Sequence, residues 1–273
     1  MSSTLLALLA AASLAVASLF TKRMVGAYPP TQLIGPLLGL NALLVVPFLA
    51  FVHWHLTGTV VLLHLASAAA LVLGSWCVFA LFVHGSASAV AVGQAMAPIP
   101  AVAFAALLLA TPPTWTQAIA AGIVSLAVLA ALGRSFGALP PYQAIALVTA
   151  AATLQGLLIV LTKLLADRGL GVAETYFART SIAAAVWVAL ALPRDIPRRA
   201  VPQLFTRSSF QTGYYVLIIL AVQRGSPATV QTLAATTPLM LLVATFAIRR
   251  RALPLRLVFA SSAVVVGVAL AVH

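Results

Sequence analysis

Gly85 to Leu109 reads GSASAVAVGQAMAPIPAVAFAALLL, and Gly225 to Ile248 reads GSPATVQTLAATTPLMLLVATFAI. Each stretch is a Gly-Ser turn followed by an apolar helix of small residues, with a proline (Pro98, Pro238) the same number of residues after the glycine. A spacing kept in two distant places is the mark of an internal duplication, and a duplication decides an architecture before any single residue does. Working outward, Phe20-Thr21-Lys22 aligns with Leu161-Thr162-Lys163, and Gly122 falls where Ser262 falls. Residues 1–138 and 139–273 are therefore expected to be two copies of one unit.

The 273 residues are 63% hydrophobic and 7% charged. A soluble domain carries about 25% charged residues, so this chain cannot build a water-facing surface. Apolar runs long enough to cross a bilayer recur from end to end. They predict ten spans, at 4–20, 30–52, 60–83, 88–110, 115–133, 142–165, 172–192, 203–222, 229–248 and 255–272. Lipid offers no partner to backbone polar groups, so the spans are helical and the fold class is an all-α polytopic membrane protein. The first span has no Lys or Arg before it and Lys22-Arg23 after it, the reverse of a signal peptide, which predicts a retained helix. Five helices per copy is an odd number, so consecutive copies enter the membrane in opposite senses. Inverted repeats of this kind supply two similar halves that exchange outward-open and inward-open shapes.

The net charge of +12 arises because Asp167, Glu174 and Asp195 are the only acids. Most basic residues lie between spans, where they serve as topology signals and contacts for anionic lipid headgroups. Nucleic-acid binding is excluded, because no soluble basic face exists. Lys22, Arg23, Arg134, Arg194, Arg198, Arg199, Arg207, Arg249, Arg250, Arg251 and Arg256 lie near odd-numbered loops, against Lys163, Arg168 and Arg224 on the other side. The positive-inside rule then predicts cytoplasmic odd loops and both termini outside. Cys77 is alone and reads as packing. His53, His55 and His64 have no acid or cysteine beside them to complete a metal site, so neither a metal nor a cofactor is expected.

From Trp76 to Leu132, and again from Tyr215 to Val272, the chain resembles the EamA-type members of the drug/metabolite transporter superfamily. The shared pattern is a third helix, a small-residue turn, a fourth helix with a central proline (Pro98, Pro238), a tight turn, and a fifth helix with a late glycine (Gly267). The resemblance implies ten helices in two inverted repeats, a central cavity and alternating-access transport of a small metabolite. It also implies cytoplasmic termini, the reverse of what the charge count predicts. The family's Glu after the fourth and ninth helices is replaced here by Ala110-Thr111-Pro112 and Arg249-Arg250-Arg251.

Polar residues inside apolar spans are the site candidates. Pro98 and Pro238 break helix hydrogen bonds and are candidate hinges. Gln94 lies one turn before Pro98, and Thr236 and Thr237 directly precede Pro238; each reads either as a substrate hydrogen-bonder or as a cross-link between helices. Arg207, Gln211 and Tyr214, at i, i+4 and i+7, share a helical face, as do Thr149, Thr153, Gly156 and Lys163. Arg179 lies deep in the seventh span with Thr175 and Tyr176 on its face, where a charge marks a pathway or a partner unless it snorkels to the interface. Trp76, Tyr214 and Tyr215 are amphipathic aromatics suited to stacking on a substrate or to an interfacial belt. Gly35 and Gly39 form a close-packing GxxxG pair. Glu174 is the one carboxylate placed for ion coupling, because the first helix has none.

No H-E-x-x-H, paired carboxylates or Ser-His-Asp set is present, so an enzyme is not expected. The reading is a secondary transporter for a small polar solute, such as an amino acid or another anion-bearing metabolite. It would work as a monomer or homodimer in the cytoplasmic membrane, the bacterial inner membrane. The alternatives are a flippase for an anionic lipid-linked sugar and a non-transporting membrane subunit.

Overall fold

The computed structural model describes residues 1–52, 54–110, 114–132, 139–191 and 196–249. Beyond these it describes Leu255, Val258, Phe259, Ser262, Ala263, Val266, Gly267 and Leu270. His53, the Thr111-Pro112-Pro113 turn, most of the tenth span, and Arg134, Arg194, Arg250, Arg251 and Arg256 lie outside the described residues.

Helices α1 (Ser3–Val25), α2 (Pro30–Leu43), α3 (Gly58–His84), α4 (Ala87–Gln94), α5 (Pro98–Leu108) and α6 (Trp115–Leu132) come from the first repeat. The second supplies α7 (Pro141–Ala166), α8 (Val172–Leu190), α9 (Val201–Arg224), α10 (Pro227–Ala234) and α11 (Thr237–Arg249). Among the described residues, five helical stretches are long and apolar enough to cross a membrane: Ser3–Val25, Gly58–His84, Ala87–Leu108, Pro141–Ala166 and Pro227–Thr245. Local chemistry starts the helices where it should. Side-chain oxygens of Ser2 and Thr57 accept from Leu5 and Val60 amides, and Pro30 and Pro141 open α2 and α7 where a missing N–H costs nothing. The second span is shorter as an α-helix than its apolar run, because Leu44 ends α2 and a 3-10 turn, Val46–Phe51, follows.

The fourth and ninth spans are each two helices with a break, and the two breaks are built alike. Ser86 and Ser226 cap the first pieces by accepting from the amides of Ala89 and Thr229. Ala95 and Ala235 end those pieces at nearly identical angles, φ −65° with ψ −6° and −4°. Pro98 and Pro238 then open the second pieces, since proline has no N–H to continue the ladder and its ring crowds the carbonyl four residues back. For Pro238 that carbonyl is Ala234, and the Thr237 hydroxyl donates to it at 2.7 Å, while Thr236 donates to Leu233 at 2.8 Å. The two threonines thus mend the break, and their protons are committed there.

The repeats pack by exchanging partners. Helix α1 lies against α9 and its repeat equivalent α7 against α3; α2 lies against α8; α10 meets α5 as α4 meets α11. This is the pairing a pseudo-two-fold axis between the repeats produces. The largest apolar cluster joins α1, α3, α4, α5, α7, α9, α10 and α11 through residues such as Leu14, Val90, Val148 and Val230. Of the described glycines, Gly156 of α7 is the most closely packed: an added Cβ would stand 2.7 Å from the Ala101 amide nitrogen and 3.0 Å from the Pro100 carbonyl carbon. Of the GxxxG pair, Gly35 packs on Trp187 and Val188 of α8, whereas Gly39 has open space beside it.

Candidate functional site

Three small cavities meet at one hydrogen bond in the middle of the bundle, from Gln155 Nε2 of α7 to the Tyr214 hydroxyl of α9, 2.8 Å long. The largest, about 70 Å³, is lined by Ser18 and Thr21 (α1), Gly74, Ser75 and Phe79 (α3), Gln94 (α4), Gln155 (α7), and Arg207, Gln211, Tyr214 and Tyr215 (α9). Its origin lies in the repeat. Gly74 and Ser75 stand as far before Gly85 as Tyr214 and Tyr215 stand before Gly225. At these positions the first repeat leaves space and the second supplies tyrosines, while Phe79 of the first repeat completes the aromatic wall. A second cavity, about 10 Å³, is bounded by Thr162, Arg179, Tyr214, Tyr215, Ile218 and Gln231. The third, also about 10 Å³, reaches Gln94, Gln231, Thr237 and Pro238 at the two breaks.

Two arginines border this space and both are buried, Arg179 at 1% and Arg207 at 8% exposure. Arg179 donates from Nη1 to Thr162 Oγ1 at 2.9 Å, and its guanidinium lies 5.0 Å from the Tyr215 ring centre and 5.4 Å from that of Tyr176. Its Nε has no hydrogen-bond partner among the described residues. Arg207 donates from Nε to Thr21 Oγ1 at 3.1 Å and covers the Phe79 ring at 5.6 Å. Each accepting threonine gives its own proton to the carbonyl four residues back, Leu158 for Thr162 and Ala17 for Thr21, which leaves the oxygen free to accept. The only ion pair among the described residues is Lys163 with Asp167, at 2.9 Å. No carboxylate among them neutralises either arginine. Removing such a charge from water costs several kcal/mol, which cation–π contacts of about 2 kcal/mol only partly offset.

The sequence candidates divide. Gln94, Gln211, Tyr214, Thr237 and Arg179 border the cavities, and Tyr176 is buried against Arg179 with its hydroxyl 3.4 Å from that of Thr212. Thr236 is buried at the second break, outside the cavity walls. Trp76 is 50% exposed on the other side of α3. It belongs to the outer surface, because its neighbours Gly74 and Ser75 take the inward face. Thr149 is likewise exposed, and Lys163 is engaged by Asp167. Glu174 is 2% exposed near the start of α8, with Oε1 unpartnered among the described residues. Arg207 is a correction of another kind: counted above with the loop charges, it lies about two turns inside α9 and is buried.

Sequence reasoning missed Gln155 and Gln231. Gln155 and Thr162 are i and i+7 on α7, so a search for inward amides on that helix face finds the first. Nothing comparable marks Gln231, which is recognised only by its burial, 2% exposed, with Oε1 unpartnered.

A family model described as the EamA-like transporter family matches residues 1–133 and again 143–273. No curated protein matches the chain. One solved structure, known only as the crystal structure of a protein, is 17% identical with a TM-score of 0.72, and the match covers 98% of this chain and 94% of that one. At that identity the likeness bears on the fold alone.

Proposed function

We propose, from the premise that this chain belongs to the EamA-like transporter family, that it carries a small anion-bearing solute across the membrane by alternating access. Members of this family are membrane transporters of small solutes. The solute class suggested is an amino acid or a phosphorylated metabolite. One observation carries the proposal: Arg179 and Arg207 are buried beside the central cavities with no carboxylate to neutralise them among the described residues. Guanidinium groups bind carboxylate or phosphate bidentately, so a substrate anion is the natural counter-charge. Gln94, Gln211 and Tyr214 supply neutral hydrogen-bonding groups around it. The moving units are residues 1–138 and 139–273, and the breaks before Pro98 and Pro238 give each a place to bend.

The test is a thermal-shift screen over amino acids, sugar phosphates, nucleotides and organic cations. Binding stabilises the folded state by about 2.7 kcal/mol at a hundredfold excess over Kd. Stabilising compounds are expected to carry a carboxylate or phosphate; a screen in which only organic cations stabilise the protein removes the argument.

Glu174 is the candidate for ion coupling. A transport rate that depends on a pH gradient should lose that dependence in Glu174→Gln, and gradient-driven uptake that persists in this variant rules Glu174 out. The cell membrane, the bacterial inner membrane, remains the proposed location, with anionic headgroups at Lys22, Arg23 and Arg199 and a monomer or homodimer as the working unit. With Arg207 removed from the loop count, Lys22, Arg23, Arg198 and Arg199 still favour odd loops on the cytoplasmic side. A C-terminal reporter that is active only outside the cytoplasm is expected to give signal, and one active only inside is not.

A further inference from the structure

We infer that the transported anion has two binding stations, Arg207 towards one membrane face and Arg179 towards the other, separated by the Gln155–Tyr214 hydrogen bond. The inference rests on the anion-transport reading above and adds to it where the anion pauses.

The two stations are built the same way, one on the side of each membrane face. Thr21 lies about one turn before the end of α1 and Thr162 about one turn before the end of α7. These helices open the two inverted repeats and run in opposite senses, so their ends reach opposite faces. Each threonine gives its proton to its own helix and accepts from one arginine. The duplication by itself would not balance the ends. The repeat equivalent of Arg207 is Ser67, at the same distance before its glycine, and the region corresponding to Arg179 holds Leu38. The charge beside Thr162 comes instead from a different helix, α8. Two unlike helices of one repeat therefore deliver one guanidinium to each end.

The space between is divided. The cavity at Arg207, about 70 Å³, has room for a few waters, and the one at Arg179, about 10 Å³, is near the lower limit for a single water. Both include Gln155, Leu158, Tyr214 and Tyr215 in their walls, so the Gln155–Tyr214 bond stands between the stations. An anion leaving one arginine meets neutral amide and phenol donors and then the second arginine, and no carboxylate is among the residues lining either cavity.

The test uses repeat-equivalent cysteines. Ser18 lines the Arg207 cavity and Ile159 the Arg179 cavity, and both are buried. Because Cys77 is the only native cysteine, Ser18→Cys and Ile159→Cys are made singly in a Cys77→Ala background and reconstituted in vesicles of known orientation. Two membrane-impermeant methanethiosulfonates are added to one face at a time, one bearing a sulfonate and one a trimethylammonium. Ser18→Cys should react from the face where α1 ends and Ile159→Cys from the opposite face. Fixed charge in a cleft raises local counter-ion concentration by about tenfold or more. Arg207→Gln should therefore lower the anion-to-cation rate ratio at Ser18→Cys by about tenfold and leave Ile159→Cys nearly unchanged, with Arg179→Gln doing the converse. Arg207→Lys, which keeps the charge, should preserve the ratio. Labelling of both cysteines from one face, or of neither from any face, overturns the two-station arrangement while leaving the anion reading standing. Ratios that ignore both arginines overturn the anion reading as well.

Discussion

Arg179→Gln raises the Kd of the anion at the Arg179 cavity at least about thirtyfold, while the protein still folds and the Arg207 cavity keeps its charge. The magnitude follows from the environment. Truncating one partner of a buried, hydrogen-bonded charge pair costs about 2–5 kcal/mol, and 1.4 kcal/mol is a factor of ten. Arg179 is 1% exposed, and the contacts it keeps among the described residues are one threonine hydroxyl and two tyrosine rings, so nothing nearby replaces its charge. The same burial sets the sign of the stability change. An unpaired buried charge is a cost in the ligand-free fold. Glutamine removes that cost, so the ligand-free melting temperature should stay level or rise. Isothermal titration and a thermal melt of the same preparation check both halves. Binding within threefold of wild type would show that Arg179 is not the anion's partner.

Gly156→Val weakens the fold by about 2 kcal/mol or more, within the usual range for overpacking a close contact. A Cβ there stands 2.7 Å from a backbone nitrogen and 3.0 Å from a backbone carbon of α5. Backbone cannot swing aside as a flexible side chain can, so α7 and α5 must separate just after the first break. The control is Gly39→Ala, because Gly39 also lies in a helix but has nothing within 4 Å of an added Cβ. It should gain up to about 1 kcal/mol from helix propensity. Melting temperatures in one detergent compare the two. A Gly156→Val protein as stable as wild type would mean that the α5–α7 contact is looser than described.

Composition and short-range pattern settled much about this chain without any structure. A charged content of 7% leaves only lipid as a solvent, and lipid leaves only helix. The two Gly-Ser turns and their equally spaced prolines place the duplication and its breaks, because a missing N–H and a ring clash act within four residues of Pro98 and Pro238. The azimuth of each helix was a different matter. In water an apolar stripe tells which face is inward; here Leu and Val face lipid as readily as core, so the stripe carries no such information. Trp76 and Tyr214 are alike as amphipathic aromatics in the sequence, yet one faces outward and the other inward. The sequence lets Arg207 be read both as a loop charge and as part of the stripe with Gln211 and Tyr214, and only packing buries it. Only packing between residues far apart in the chain joins Gln155 to Tyr214, Arg207 to Thr21 and Arg179 to Tyr215, and those meetings make the candidate site.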